Sequence, residues 1–141
     1  PIGIAICYEL ADGRALARAS RQGARWLLAS ANLDPYPLLL QRQFAAVAQL
    51  RAIETGRWLV SAANTGPSLL VDPAGRLRGS LTPQTEGRGL VQLRQRRELS
   101  PYDFWGEMPL LGLLVMAAAS LMVSPLRNSA ASRLRRLVRS K

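Results

Sequence analysis

Apolar and polar positions fall into short blocks whose period changes along the chain. Ile2 to Cys7 is a brief apolar, β-prone run suited to a buried strand. Asp12 is placed to cap a helix in which Arg14, Arg18, Arg21 and Arg25 recur at helical spacing while Ala15, Leu16 and Ala19 face the other way. Gly23 is a stop signal, and Trp26 to Ser30 is again short and apolar. Strand, helix and strand in that order suggest a parallel pair joined by a crossover. Asn32 to Pro37 reads as a loop. From Leu40 to Gly56 the pattern turns helical, with Leu40, Phe44, Val47 and Ala48 on one stripe. Arg51 continues that stripe, where a charge needs a partner, and Glu54 stands three residues on. Trp58 to Ala63 and Ser68 to Asp72 read as strands around Asn64-Thr65-Gly66-Pro67. Asp72-Pro73-Ala74-Gly75 is a second turn, and Gly89 to Arg94 reads as one more strand. Residues 1 to about 100 are therefore expected to be an α/β domain that finishes in antiparallel pieces.

At Met108 the pattern breaks. Residues 108–123 carry no charge, and extension to Leu126 gives a stretch near the lower limit of about 17 residues for crossing a bilayer. Phe104 and Trp105 precede it, where interfacial aromatics are favoured, and an Arg-rich tail follows. The expected division is a domain over 1–107, a transmembrane helix over 108–126 and a basic cytoplasmic tail over 127–141. A buried soluble helix is the alternative for 108–123.

Composition narrows the chemistry. A chain of 141 residues, 48% apolar and 20% charged, is one globular domain and not a disordered segment. Of its net charge of +10, six basic residues lie after Leu126 with no acid among them. There is no His, which excludes Ser-His and Cys-His nucleophilic pairs and most zinc chemistry. The single Cys excludes an internal disulfide and any CxxC site. Lys occurs only at position 141, so no Lys lies within a folded core. No metal or cofactor is expected. The chain opens inside an apolar strand with no initiator Met and no signal peptide, and it is expected to be a piece of a longer protein.

One residue carries candidate chemistry. Cys7 ends the apolar strand and is followed by Tyr8, Glu9 and a helix. A strand-to-helix turn pushes its residue out of the sheet, and backbone N–H groups there can receive an oxyanion. A thiol in that place is a nucleophile only if something takes its proton, and a nearby acid alone does not lower its pKa. An inert core thiol is the plainer reading of the same residue. Other charged and polar positions also have plain readings. Arg51 and Glu54 read as a structural ion pair, Asn64 and Gly66 as turn formers, Trp26 and Trp58 as core, and the Arg14-to-Arg25 row as a solvated helix face.

Cys7-Tyr8-Glu9, Asn32, Arg51-Ala52-Ile53-Glu54-Thr55-Gly56-Arg57, Asn64-Thr65-Gly66 and Asp72-Pro73-Ala74-Gly75 occur in that order. Together they resemble the carbon–nitrogen hydrolase (nitrilase) superfamily, and within it the apolipoprotein N-acyltransferase branch, over residues 1 to about 107. The resemblance implies the C-terminal portion of an α-β-β-α sandwich and a Glu-Lys-Cys triad. Cys7 matches the nucleophile, Glu9 the supporting active-site glutamate, and Tyr8 the residue whose backbone N–H meets the oxyanion. The family's Glu and Lys would lie before Pro1, so the 141-residue chain alone is expected to be inactive. The loop after the second strand departs from the family's Trp-Phe and Gln-His, reading Asn32-Leu33-Asp34-Pro35-Tyr36-Pro37 and Leu40-Gln41-Arg42.

The implied activity moves a phospholipid acyl chain, through a Cys7 thioester, to the N-terminal cysteine amine of an apolipoprotein. The partners are then a phospholipid donor, an apolipoprotein acceptor and the inner membrane, with the domain periplasmic and no nucleic acid bound. A soluble nitrilase-like amidase, and a non-enzymatic basic module that binds membrane or nucleic acid, are the alternatives.

Overall fold

A computed structural model of the protein describes residues 1–122. β1 (Ile2–Ile6) passes through a 3₁₀ turn (Cys7–Ala11) into α1 (Gly13–Arg21), and β2 (Trp26–Ala31) follows. The two strands pair in parallel with Ala5 opposite Ala29, as the strand–helix–strand order suggests. α2 (Leu38–Thr55) then crosses to β3 (Leu59–Ala63), again parallel to its neighbour. β4 (Ser68–Val71) and β5 (Leu77–Leu81) return antiparallel, so the sheet runs β1-β2-β3-β4-β5. A short α3 (Pro101–Trp105) is capped by Ser100 and Asp103 in a reciprocal box.

The helix ends sit where local chemistry puts them. The Asp12 carboxylate accepts from the Ala15 N–H at 3.0 Å, satisfying a donor that the first turn of α1 leaves open. Gly56 closes α2 at φ 60°, a left-handed conformation that glycine adopts without strain.

Strand alternation sorts the side chains into two unlike faces. Ala5, Leu27, Ala29, Leu59, Leu69 and Val71 point to one side and form the core with Leu10, Leu16 of α1, and Ala48 and Ala52 of α2. Small residues on the facing surfaces bring helix and sheet close together. On the other side Ile2, Ile4 and Ile6 stand 47–62% exposed. The structure thus holds one sheet and one helix layer of the expected four-layer sandwich.

One expected element is corrected. Residues 89–94 carry no ladder, and the strand that follows the Asp72 turn is β5 instead. Leu90 is fully exposed, whereas β5 gains its place from pairing with β4 although four of its five residues are exposed.

The described residues divide into two compact units, Pro1–Gly106 and a second beginning at Glu107. In the second, residues 108–122 are helical and all exposed. Among the described residues no helix is long and apolar enough to cross a membrane. Residues 123–126 of the expected span, and the expected tail over 127–141, lie outside the described residues.

Candidate functional site

Cys7 takes φ 53° at the end of β1. A non-glycine residue in that conformation costs about 1–3 kcal/mol, so its surroundings must hold it. Four hydrogen bonds do so. The Ile6 N–H donates to Glu9 Oε2 at 2.8 Å, bracing the entry to the 3₁₀ turn. The Asp12 N–H donates to Glu9 O at 3.0 Å, closing its far end. Arg51, reaching up from α2, donates from Nε to Leu10 O at 3.0 Å and from Nη2 to Ala11 O at 3.2 Å.

Arg51 also pairs with Glu54 one helical turn on. The ion pair expected from their spacing is present, and the guanidinium is in addition bonded to the turn that starts at Cys7. A fork of fixed N–H groups suits this task better than an ammonium, because it meets two carbonyls and a carboxylate at once. Gly13 makes the room. A Cβ there would lie 2.0 Å from Arg51 Nη1, 2.7 Å from the Tyr102 hydroxyl and 2.9 Å from Glu54 Oε2.

The half-buried thiol borders a cavity of about 170 Å³ lined by Tyr8, Ala11, Leu33, Tyr36, Leu40, Phe44 and Val47, with Gln43 as its one polar side chain apart from the tyrosine hydroxyls. Tyr8 and Tyr36 meet edge to face with ring centroids 6.3 Å apart. Hydrogen bonding and charge from Tyr8, helped by burial and by Cys7, hold the Tyr36 phenol above its ordinary pKa. Buried Gln41 pins the loop that carries Leu33 and Tyr36, donating to Leu33 O at 3.2 Å and to Tyr36 O at 3.0 Å. Asn64 reaches the same loop from the β3–β4 turn. Its Oδ1 accepts from the Leu33 N–H at 3.0 Å, and its Nδ2 donates to Asn32 Oδ1 at 2.7 Å. Asn64 is therefore a cross-link between two loops as well as a turn former.

Cys7, Tyr8 and Glu9 thus share one turn, with the Glu9 carboxylate facing the Ile6 N–H and the Tyr8 ring facing Tyr36. Tyr36 was not among the expected site residues. Its signal is an aromatic residue held between Pro35 and Pro37 in the loop after the second strand. Among the described residues no group of three or more Cys, Asp or Glu side chains is placed to hold a metal ion.

Two buried carboxylates lie outside this turn. Burial pushes Asp103 above the usual aspartate value, against the opposing pull of Ser100, Arg57 and Arg21. Burial also works to raise Asp72, but the Arg76 N–H, the Arg78 guanidinium and the Ala74 N–H outweigh it and hold that group low. Arg57, 1% exposed, donates from Nε to Ala24 O at 2.9 Å and from Nη1 to Glu98 O. Burial lowers its pKa first, with Arg96 adding to the effect and Asp103 and Glu98 opposing it.

A mixed α/β sheet with a strained cysteine at the end of its first strand matches a known class: residues 1–102 fit the carbon-nitrogen hydrolase family, and the chain belongs to it. More particular relatives share the name apolipoprotein N-acyltransferase. The chain is 56% identical over 125 residues to one from Prochlorococcus marinus strain MIT 9313, covering 89% of this chain and 25% of that protein. It is 59% identical over 103 residues to the one from Parasynechococcus marenigrum, covering 73% of this chain and 22% of that protein. The chain spans about a quarter of the length of the curated relatives it matches. The fold is also similar to a crystal structure of a carbon-nitrogen hydrolase from Helicobacter pylori, with a TM-score of 0.55, 15% identity, and coverage of 60% of this chain and 37% of that one.

Proposed function

We propose that the intact protein transfers an acyl chain from a phospholipid to the N-terminal cysteine amine of an apolipoprotein, through a thioester on Cys7. The observation that carries this reading is a thiol at a strained strand-end turn beside an apolar cavity. Such a lining suits the hydrocarbon next to a reacting ester better than a small polar amide, and a cavity of roughly 150 Å³ takes a six-carbon ring. The relatives' shared name supports the same choice.

In the first half, Cys7 gives up its proton to the Glu that the family resemblance places before Pro1. The sulfur attacks the ester carbonyl, and the Tyr8 N–H and the upstream Lys receive the oxyanion. The carbon–sulfur bond forms in that attack; collapse of the tetrahedral oxyanion then breaks the carbon–oxygen bond, and the lysophospholipid leaves as an alcohol carrying the proton. In the second half, the acceptor amine attacks the thioester carbonyl. The carbon–nitrogen bond forms, the carbon–sulfur bond breaks, and the amine's proton returns to the thiol. Glu9 supports the site by holding the Ile6 N–H and with it the turn. A covalent intermediate lets two bulky lipid substrates be handled one after the other.

The test uses the intact protein and a phospholipid labelled in its acyl chain. Wild type should acquire the label on the peptide containing Cys7, in a form released by neutral hydroxylamine. Cys7→Ala should lose both the adduct and transfer by several orders of magnitude while keeping its unfolding midpoint. Transfer retained by that variant overturns the reading.

The same proposal places residues 108–126 across the inner membrane, the domain in the periplasm and the basic tail in the cytoplasm. Single cysteines introduced at Ser100 and Ser140 of the Cys7→Ala protein should then react with an impermeant thiol reagent in intact cells only at Ser100. Equal labelling of both rejects that topology.

A further inference from the structure

We propose that Arg51 is a positioning residue: from α2 it holds the turn that presents the Cys7 thiol, and so sets the rate at which that thiol reacts. The proposal rests on Cys7 being the nucleophile. The turn is short and strained, so bonds at both of its ends are needed to hold its conformation. At its entry Glu9 takes the Ile6 N–H. At its exit Leu10 O and Ala11 O both point at Arg51, which meets them with two different nitrogens of one rigid fork.

The fork is itself fixed. A third nitrogen pairs with Glu54, the residue is buried, and its Nη1 packs closely against Gly13. The path from α2 to the thiol is therefore short and continuous: Glu54 orients Arg51, Arg51 fixes Leu10 and Ala11, and the turn between them and β1 keeps Cys7 in its left-handed conformation. A guanidinium buried only for stability would be served by any set of acceptors. Here two of its acceptors are consecutive carbonyls of the segment that opens with the thiol.

The substitution that tests this is Arg51→Lys in the intact protein, because it keeps the charge for Glu54 but cannot meet both carbonyls as a planar fork does. Three quantities are read beside the unfolding midpoint: the rate of Cys7 capture by iodoacetamide across pH, and kcat and KM for a phospholipid donor. Arg51→Lys should slow both iodoacetamide capture and kcat by about ten-fold or more, with KM within about two-fold, since misplacement of a reacting group acts on the chemical step. Glu54→Gln, which leaves Arg51 in place with a neutral partner, should show a smaller drop in the same two rates. Wild-type capture rates and pH profiles in both variants, with only the unfolding midpoint lowered, would reduce Arg51 to a structural ion pair and overturn the proposal. Iodoacetamide capture does not depend on acyl transfer. If Cys7→Ala retained transfer, the functional reading would fall while the capture comparison still reported on the hold over the turn.

Discussion

Arg51 and Arg57 stand six residues apart, both are buried, and both spend their N–H groups on backbone carbonyls. They serve different parts of the fold. Arg51 lies beneath the turn that ends β1, with an acid partner one helical turn away. Arg57 sits where β2 and β3 begin and ties Ala24, just before β2, to Glu98 in the segment that leads into α3. Its neighbouring acid, Asp103, is fully buried, and burial shifts both groups toward their neutral forms. Buried cations in one short segment can thus act on reactivity in one case and on the joining of distant segments in the other. What each carbonyl belongs to decides which.

The contrast predicts its own breaking point. Arg57→Met should destabilise the protein by about 3–5 kcal/mol, because it leaves the Ala24 and Glu98 carbonyls without their donor and Asp103 with Arg21 but without one of its two neighbouring cations. Below its lowered unfolding midpoint, the rate of Cys7 alkylation should equal that of wild type. A loss of alkylation rate as large as that expected for Arg51→Lys would erase the distinction between the two arginines.

A smaller effect sharpens the comparison through pH. Asp103 has a raised pKa, so between the usual aspartate value and the raised one the unfolded chain is ionised while the folded chain is still protonated. Stability therefore falls as pH rises through that window. Asp72 does the reverse: its contribution is complete above the usual aspartate value and is lost as pH falls through its lower folded value. Unfolding midpoints measured across the acid range should show Asp103→Asn removing the first dependence and Asp72→Asn the second. A steeper loss with rising pH in Asp103→Asn would contradict the assignment.

Much of the β1-to-β3 half of the domain is legible in the sequence, because its apolar runs are dense and bounded by Asp12, Gly23 and Gly56 at places where the chain must turn. β5 is not. Leu77-Arg78-Gly79-Ser80-Leu81 has neither alternation nor bulk, and it is a strand only because β4 supplies the pairing. Residues 89–94 look more strand-like and have no such partner. At the site, the spacing of Arg51 and Glu54 reveals their ion pair, since three residues is a local distance. The bonds from Arg51 to Leu10 and Ala11 span about forty residues and leave no local pattern. The same holds for Asn64, whose turn chemistry is readable but whose hold on Leu33 and Asn32 is not. Cys7 is recognisable as a strand-end thiol. Its left-handed backbone is a property of the assembled turn.

The three isoleucines of β1 have a practical consequence for anyone handling this chain. They alternate along a strand at the edge of the sheet, so a row of β-branched side chains and a row of open backbone groups are offered to solvent together. Such a strand is a template for adhesion between copies, and a preparation limited to these residues carries it on every molecule. Colloidal behaviour would then be governed by that strip instead of by the high positive charge that ordinarily keeps proteins apart in solution. Thiol kinetics taken on clumped material would report crowding around Cys7 in place of its own turn, which is why the variants described above belong in the intact protein.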